Sequence, residues 1–168
     1  MLATRLAPMP FELATARLEL GLWQEADAGW YQGLVAERGD RPPTIEEAGA
    51  KVLELRDDML MTGIGILPIR RWQEGDSIGY AGLTIGRTTL EEPELVVELL
   101  RGVHGQGYGT EAASIMIDAA VATGRRRLWA TVPAWNTPCF RVLQKLGFEQ
   151  HHSTWDDRGE LGWYELGL

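Results

Sequence analysis

The segment from Leu99 to Ala113 limits the possible folds more than any other part of the chain. It reads Leu99-Leu100-Arg101-Gly102-Val103-His104-Gly105-Gln106-Gly107-Tyr108-Gly109-Thr110-Glu111-Ala112-Ala113. A strand-like run ends, three alternating glycines follow, and a helix-forming run begins. Glycines carry no side chain, so several backbone N–H groups can face one anion while φ is free to be positive. The first turn of the following helix adds unpaired N–H groups and a partial positive charge. Such a junction can hold a pyrophosphate, although a glycine turn used only for tight packing leaves the same pattern. Two common phosphate binders fail on single residues. A Walker loop needs Gly-Lys-Ser/Thr, and here Gly107 is followed by Tyr108. A dinucleotide fingerprint needs Gly or Ala where Gly105-x-Gly107-x-x-Thr110 has threonine, and its acidic ribose ligand would fall near Trp129.

At 168 residues the chain is long enough for one domain, residues 1–168, whose core needs neither disulfides nor metal. Its single cysteine, Cys139, excludes an internal disulfide framework and suits a reducing compartment. There is no apolar run long enough to cross a membrane. Met1–Pro10 does not read as a signal peptide, so a cytoplasmic location is expected. The net charge of −8 argues against a nucleic-acid partner, which would require a concentrated positive surface. The one basic run, Arg125-Arg126-Arg127, reads first as a helix C-terminus and second as a ligand-phosphate site. His151-His152 has no third ligand at metal-binding spacing, so no metal is expected.

Periodicity orders the elements. Arg17–Leu22 alternates as a half-buried strand, Glu25–Val35 reads as a helix, and Thr44 with Glu47 forms a capping box for a helix reaching Met61. Gly63–Ile69, Ser77–Ile85 and Glu94–Leu100 are strands joined without helices, hence antiparallel neighbours. A helix over Gly109–Thr123, a buried strand Arg127–Val132 and a short helix Pro138–Leu146 follow. Phe148–His152 and Gly162–Leu166 close the chain as a hairpin across Asp157-Arg158-Gly159. The class is α+β, with a mixed and mostly antiparallel sheet. Trp72, Trp135, Trp155 and Trp163 are assigned to the core rather than to the wall of a substrate pocket.

His104-x-x-Gly107-x-Gly109 followed by Thr110-Glu111-Ala112 resembles the acetyl-coenzyme A motif of the GNAT superfamily, usually Arg/Gln-x-x-Gly-x-Gly/Ala. Two further stretches match in the same order. Thr15-Ala16-Arg17-Leu18-Glu19-Leu20, with Trp23 through Asp27-Ala28, is similar to the opening of the RimL/RimJ-type branch. Asn136-Thr137-Pro138-Cys139 through Lys145-Leu146-Gly147-Phe148 is similar to its closing motif. The resemblance runs from about residue 15 to residue 150 and implies a central sheet of about six to seven strands flanked by helices on both faces. It implies acetyl-coenzyme A as co-substrate and an amine as acceptor, either a small molecule or a peptide N-terminus. It also brings the prospect of a homodimer.

The resemblance assigns His104, Gly105, Gln106, Gly107, Tyr108, Gly109 and Thr110 to the pyrophosphate, largely through backbone, and Leu99, Arg101 and Asn136 to the pantetheine arm. The arm would lie where strand Glu94–Leu100 splays from Arg127–Val132. Histidine replaces the usual Arg or Gln at position 104, and Leu143 stands where other members carry a tyrosine acid. Tyrosine acid catalysis is therefore not implied, and a non-catalytic acyl-coenzyme A binding module is the rival reading. An amine such as lysine, with a pKa of about 10.4, must lose a proton before attack. Glu94 and Glu98 are the candidate bases, because residues four apart on a strand share a face. Cys139 is a weak candidate S–H donor. A covalent acetyl-cysteine route would need His151 or His152 beside it.

Overall fold

A computed structural model describes residues 5–168, so the first four residues of the N-terminal segment considered above lie outside the described residues. Two short strands, β1 (Leu13–Ala14) and β2 (Leu18–Leu20), open the chain. A single 3-10 turn over Glu25–Asp27 leads into α1 (Ala28–Glu37). The Asp27 carboxylate fixes this entry, accepting the Gln24 N–H at 2.8 Å and the Trp30 indole N–H at 2.7 Å. Helix α2 (Ile45–Thr62) starts at the capping box read from the sequence. Thr44 Oγ1 accepts the Glu47 N–H at 3.1 Å, and the Glu47 carboxylate accepts the Thr44 N–H at 2.8 Å.

Strands β3 (Ile66–Arg71), β4 (Ser77–Thr84) and β5 (Glu94–Leu99) form the expected antiparallel meander. β3 begins three residues later than the sequence indicated, because Gly63 at φ 79° closes α2 instead, with its N–H on the Met59 carbonyl. Helix α3 (Tyr108–Ala122), β6 (Arg127–Pro133), α4 (Thr137–Lys145), β7 (Glu149–Asp156) and β8 (Gly159–Gly167) complete the chain. The eight strands lie in the order β1-β2-β3-β4-β5-β6-β8-β7, antiparallel throughout except for β5 beside β6. This is the α+β class expected, with eight strands where six or seven were anticipated.

Each face of the sheet has its own helical cover. On one face Tyr80 of β4 lies 6.2 Å from Trp23, which stacks on Trp30 of α1 at 5.4 Å. Trp23 is fully buried, and its indole donates to the Ile66 carbonyl at 2.7 Å. On the other face α3 and α4 cover alternate residues, with Phe140 of α4 5.7 Å from Tyr164 of β8. Those two layers leave no place for three tryptophans assigned to the core. Trp72, Trp135 and Trp155 are 52%, 77% and 74% exposed. The first two lie in connections, and the third is on edge strand β7, none of whose residues is buried. Trp163 is half-buried.

The basic run lies beyond the C-terminus of α3, at the far end from the glycine turn. Arg125 is buried and donates to the Leu90 carbonyl at 2.9 Å, and Arg127 sits between Glu92 and Glu165 at 3.6 and 3.5 Å.

Candidate active site

Strands β5 and β6 run side by side at only one bridged pair, Glu94 with Trp129, and then diverge. On its other side β5 stays on β4 along its whole length, and the Leu100 N–H reaches the Ile78 carbonyl at 2.8 Å. An antiparallel ladder engages alternate residues, so it takes the main chain of Val96, Glu98 and Leu100. The N–H and C=O groups of Val97 and Leu99 therefore face the gap.

Beyond β5 the chain makes a 3-10 turn over Arg101–Val103 and enters the glycine segment. Gly105 and Gly107 take φ values of 76° and 83°, a region costly for any residue with a Cβ. The first bond inside α3 runs from the Glu111 N–H to the Gly107 carbonyl at 3.1 Å. Among the described residues, the N–H groups of Gly105, Gln106, Gly107, Tyr108, Gly109 and Thr110 have no protein acceptor. His104 departs from its expected role. Its own N–H is taken by the Arg101 carbonyl at 3.1 Å, and its imidazole Nε2 lies 2.9 Å from the Leu99 carbonyl.

The turn is held from below by a residue 90 positions earlier in the chain. Arg17 Nε and Nη2 each lie 2.7 Å from Glu111 Oε2, its Nη1 donates to the Gln106 carbonyl at 2.9 Å, and its guanidinium lies 4.3 Å from the Tyr108 ring centroid. Burial raises the Glu111 pKa, but bonds from Thr15 and Arg17 outweigh it and leave the carboxyl below its ordinary value. Nothing in the local sequence pairs Arg17 with Glu111; the tertiary fold brings the residue before β2 onto the first turn of α3.

A cavity of about 680 Å³ fills the space between the turn, the open edge of β5, α4 and the end of α1. Glu98, Leu99, Arg101, His104, Gly105, Gly107, Tyr108, Gly109, Thr110, Asn136 and Cys139 all border it, whereas Glu94 and Gln106 do not. Arg38, Arg101, Arg141 and Lys145 on its walls outnumber Glu37 and Glu98, a local positive excess in an acidic chain. Asn136 Oδ1 caps α4 by accepting the Cys139 N–H at 3.3 Å, which fixes how α4 presents its first turn to the cavity.

The two candidate bases differ in setting. Glu98 accepts from Arg38 Nε and Nη2, each at 2.6 Å, and from the Tyr80 hydroxyl. Burial, and then the Glu98 charge, push the Tyr80 pKa up; the bond to Glu98 raises that of Arg38. Glu94 is 5% exposed and takes the Thr131 hydroxyl. Arg101 is tied to α1, with its N–H on Glu37 Oε2 at 2.9 Å and its guanidinium on the Glu37 carbonyl at 2.6 Å. Burial raises the Cys139 thiol pKa, which disfavours a thiolate nucleophile. His152 stacks on Trp163, on the sheet face opposite α4, so the histidine pair does not meet Cys139.

A protein-family model described as an acetyltransferase (GNAT) domain matches residues 13–149. The chain belongs to the GNAT acetyltransferase family. No curated protein matches it. Among solved structures, an acetyltransferase from Agrobacterium tumefaciens is 23% identical, with 94% of each chain covered and a TM-score of 0.75. The ribosomal-protein-S5-alanine acetyltransferase of Vibrio fischeri is 16% identical, with 94% of this chain and 97% of that one covered and a TM-score of 0.80. The Salmonella typhimurium protein yncA, solved with its cofactor acetyl-CoA, is 18% identical, with 90% and 94% covered and a TM-score of 0.72. As a GNAT acetyltransferase this protein uses acetyl-coenzyme A, and its site fits that co-substrate. Six unpaired N–H groups converge at a helix N-terminus, and an unpaired strand edge and cationic walls lie beside them.

Proposed function

We propose that this acetyltransferase transfers the acetyl group to a primary amine by direct attack, the acceptor being a peptide N-terminus or a small amine. The whole chain acts as one acetyltransferase domain of the cytoplasm. The gap between β5 and β6 carries the proposal, because it gives an unpaired strand edge access to both faces of the sheet. The turn from Gly105 to Thr110 holds the diphosphate by its free N–H groups, and the edge at Val97 and Leu99 holds the pantetheine amides. Asn136, the N-cap of α4, borders the same cavity. Acetyl-coenzyme A supplies an activated thioester, whose carbonyl an N–H of the open edge can polarise.

Glu94 is the better base of the pair. The Glu98 oxygens are already committed to Arg38 and Tyr80, whereas Glu94 carries one hydroxyl bond at the apex of the gap. It lies outside the cavity wall, so the amine proton reaches it through water. Glu98 instead positions Arg38 at the acceptor end. The thiol leaving group resembles cysteine, with a pKa of about 8.5, so departure requires little help from an acid.

The Vibrio fischeri neighbour, named as a ribosomal-protein alanine acetyltransferase, favours a peptide α-amine and the RimL/RimJ-type branch. The test is coenzyme A release from acetyl-coenzyme A with a panel of N-terminal peptides, polyamines and amino sugars. Turnover on peptides above the other classes supports the peptide reading. Turnover confined to small amines replaces it, and release without any acetylated amine removes the transfer reading.

A further inference from the structure

His104 occupies the first position of the cofactor motif, yet it is turned away from the diphosphate cradle. Its main-chain N–H is used by Arg101, and its side chain folds back five residues to put Nε2 2.9 Å from the Leu99 carbonyl. A carbonyl only accepts, so Nε2 carries the hydrogen. The ring therefore satisfies one of the polar groups that the divergence of β5 from β6 leaves unpaired. His104 is exposed and borders the cavity, so its ring pairs a carbonyl that water would otherwise serve.

From this contact we propose that His104 is a stand-in ligand for the pantetheine arm. It caps the Leu99 carbonyl in the free protein and must leave it when acetyl-coenzyme A enters. The inference rests on the reading that the arm lies along the Val97–Leu99 edge. Two features make the exchange feasible. The 3-10 turn over Arg101–Val103 ends immediately before His104, and Gly105 at φ 76° follows it, so the side chain can swing with little change in β5 or α3. The cradle itself does not depend on the ring, because the six N–H groups from Gly105 to Thr110 are free whether or not His104 is bound to Leu99.

A stand-in and a phosphate ligand predict opposite signs. His104→Ala removes the competitor, so acetyl-coenzyme A should bind roughly two- to tenfold more tightly, the range expected from one net hydrogen bond. His104→Gln can still donate to Leu99 and should stay near wild type. 3′-Phosphoadenosine 5′-diphosphate, which keeps the diphosphate but lacks the pantetheine arm, should bind both variants like wild type. Titration calorimetry on the full chain reads all three. Equal or weaker acetyl-coenzyme A binding by His104→Ala overturns the proposal, and weaker binding of both ligands makes His104 a phosphate contact. In the unaltered protein, His104 Nε2 should couple to the Leu99 carbonyl when free and lose that coupling on saturation. Persistence of that coupling in the complex also overturns it. Gly107→Glu tests the underlying site separately: if it binds acetyl-coenzyme A like wild type, the cradle reading itself falls.

Discussion

Glu94 on β5 is bridged to Trp129 on β6, and among the described residues no later pair joins these two strands. The gap, the free strand edge and the cavity all follow from that single point of contact.

Gly107 holds φ 83° at the start of α3, and a Cβ there would lie 3.3 Å from Arg17 Nη2. Gly107→Glu would place a negative charge at the proposed diphosphate position and cost about 1 kcal/mol in backbone strain. The protein should stay folded by circular dichroism, with acetyl-coenzyme A affinity reduced at least ~100-fold. Retained affinity would move the cofactor elsewhere.

Glu94→Gln should lower kcat by roughly 10²-fold or more with little change in acetyl-coenzyme A binding, the signature of a lost base. Activity that needs a deprotonated base falls on the acid side, so the variant should lose the acid limb of the kcat profile. Wild-type kcat and an unchanged acid limb would assign Glu94 a structural role with Thr131.

Arg17 links Glu111, the Gln106 carbonyl and the Tyr108 ring. Arg17→Ala should weaken acetyl-coenzyme A binding about tenfold through a looser turn. Arg17→Lys should not restore it, because an ammonium lacks the planar fork. Full restoration by lysine would show that charge alone is needed.

Glu111 titrates below its ordinary value in the folded protein, so its contribution to stability is fully present above the unfolded carboxylate pKa of about 4.3. That contribution disappears as pH falls through the lower folded value. Thermal melts of wild type and Glu111→Gln should differ by a constant amount at neutral pH and converge in acid. A gap that persists below pH 3 would place the effect in packing rather than ionisation.

Burial raises the Cys139 thiol pKa, so the thiol should react with aromatic disulfides more slowly than free cysteine at pH 8. Under the proposed direct attack, Cys139→Ala should retain kcat within about threefold. Trapping of an acetylated Cys139 by mass spectrometry would reverse that conclusion.

Local rules made much of this chain readable in advance. Thr44 with Glu47, and the alternation of glycines from 105 to 109, each act within a few residues, where capping and φ preferences decide the outcome. The exposed tryptophans were misread because burial depends on which layer lies overhead. An aromatic residue in a connection or on an edge strand carries no local mark of that.

The residues alone determined a glycine-rich strand-to-helix junction, because glycine conformation and a helix N-terminus are properties of adjacent positions. Tertiary structure decided the rest. It set Arg17 under the turn, Arg38 and Tyr80 around Glu98, and His104 on Leu99. The first two of those sets join residues far apart in the chain, and the third depends on a strand edge left bare when β5 leaves β6. Neither circumstance has a counterpart in neighbouring sequence, since both arise only when distant elements pack.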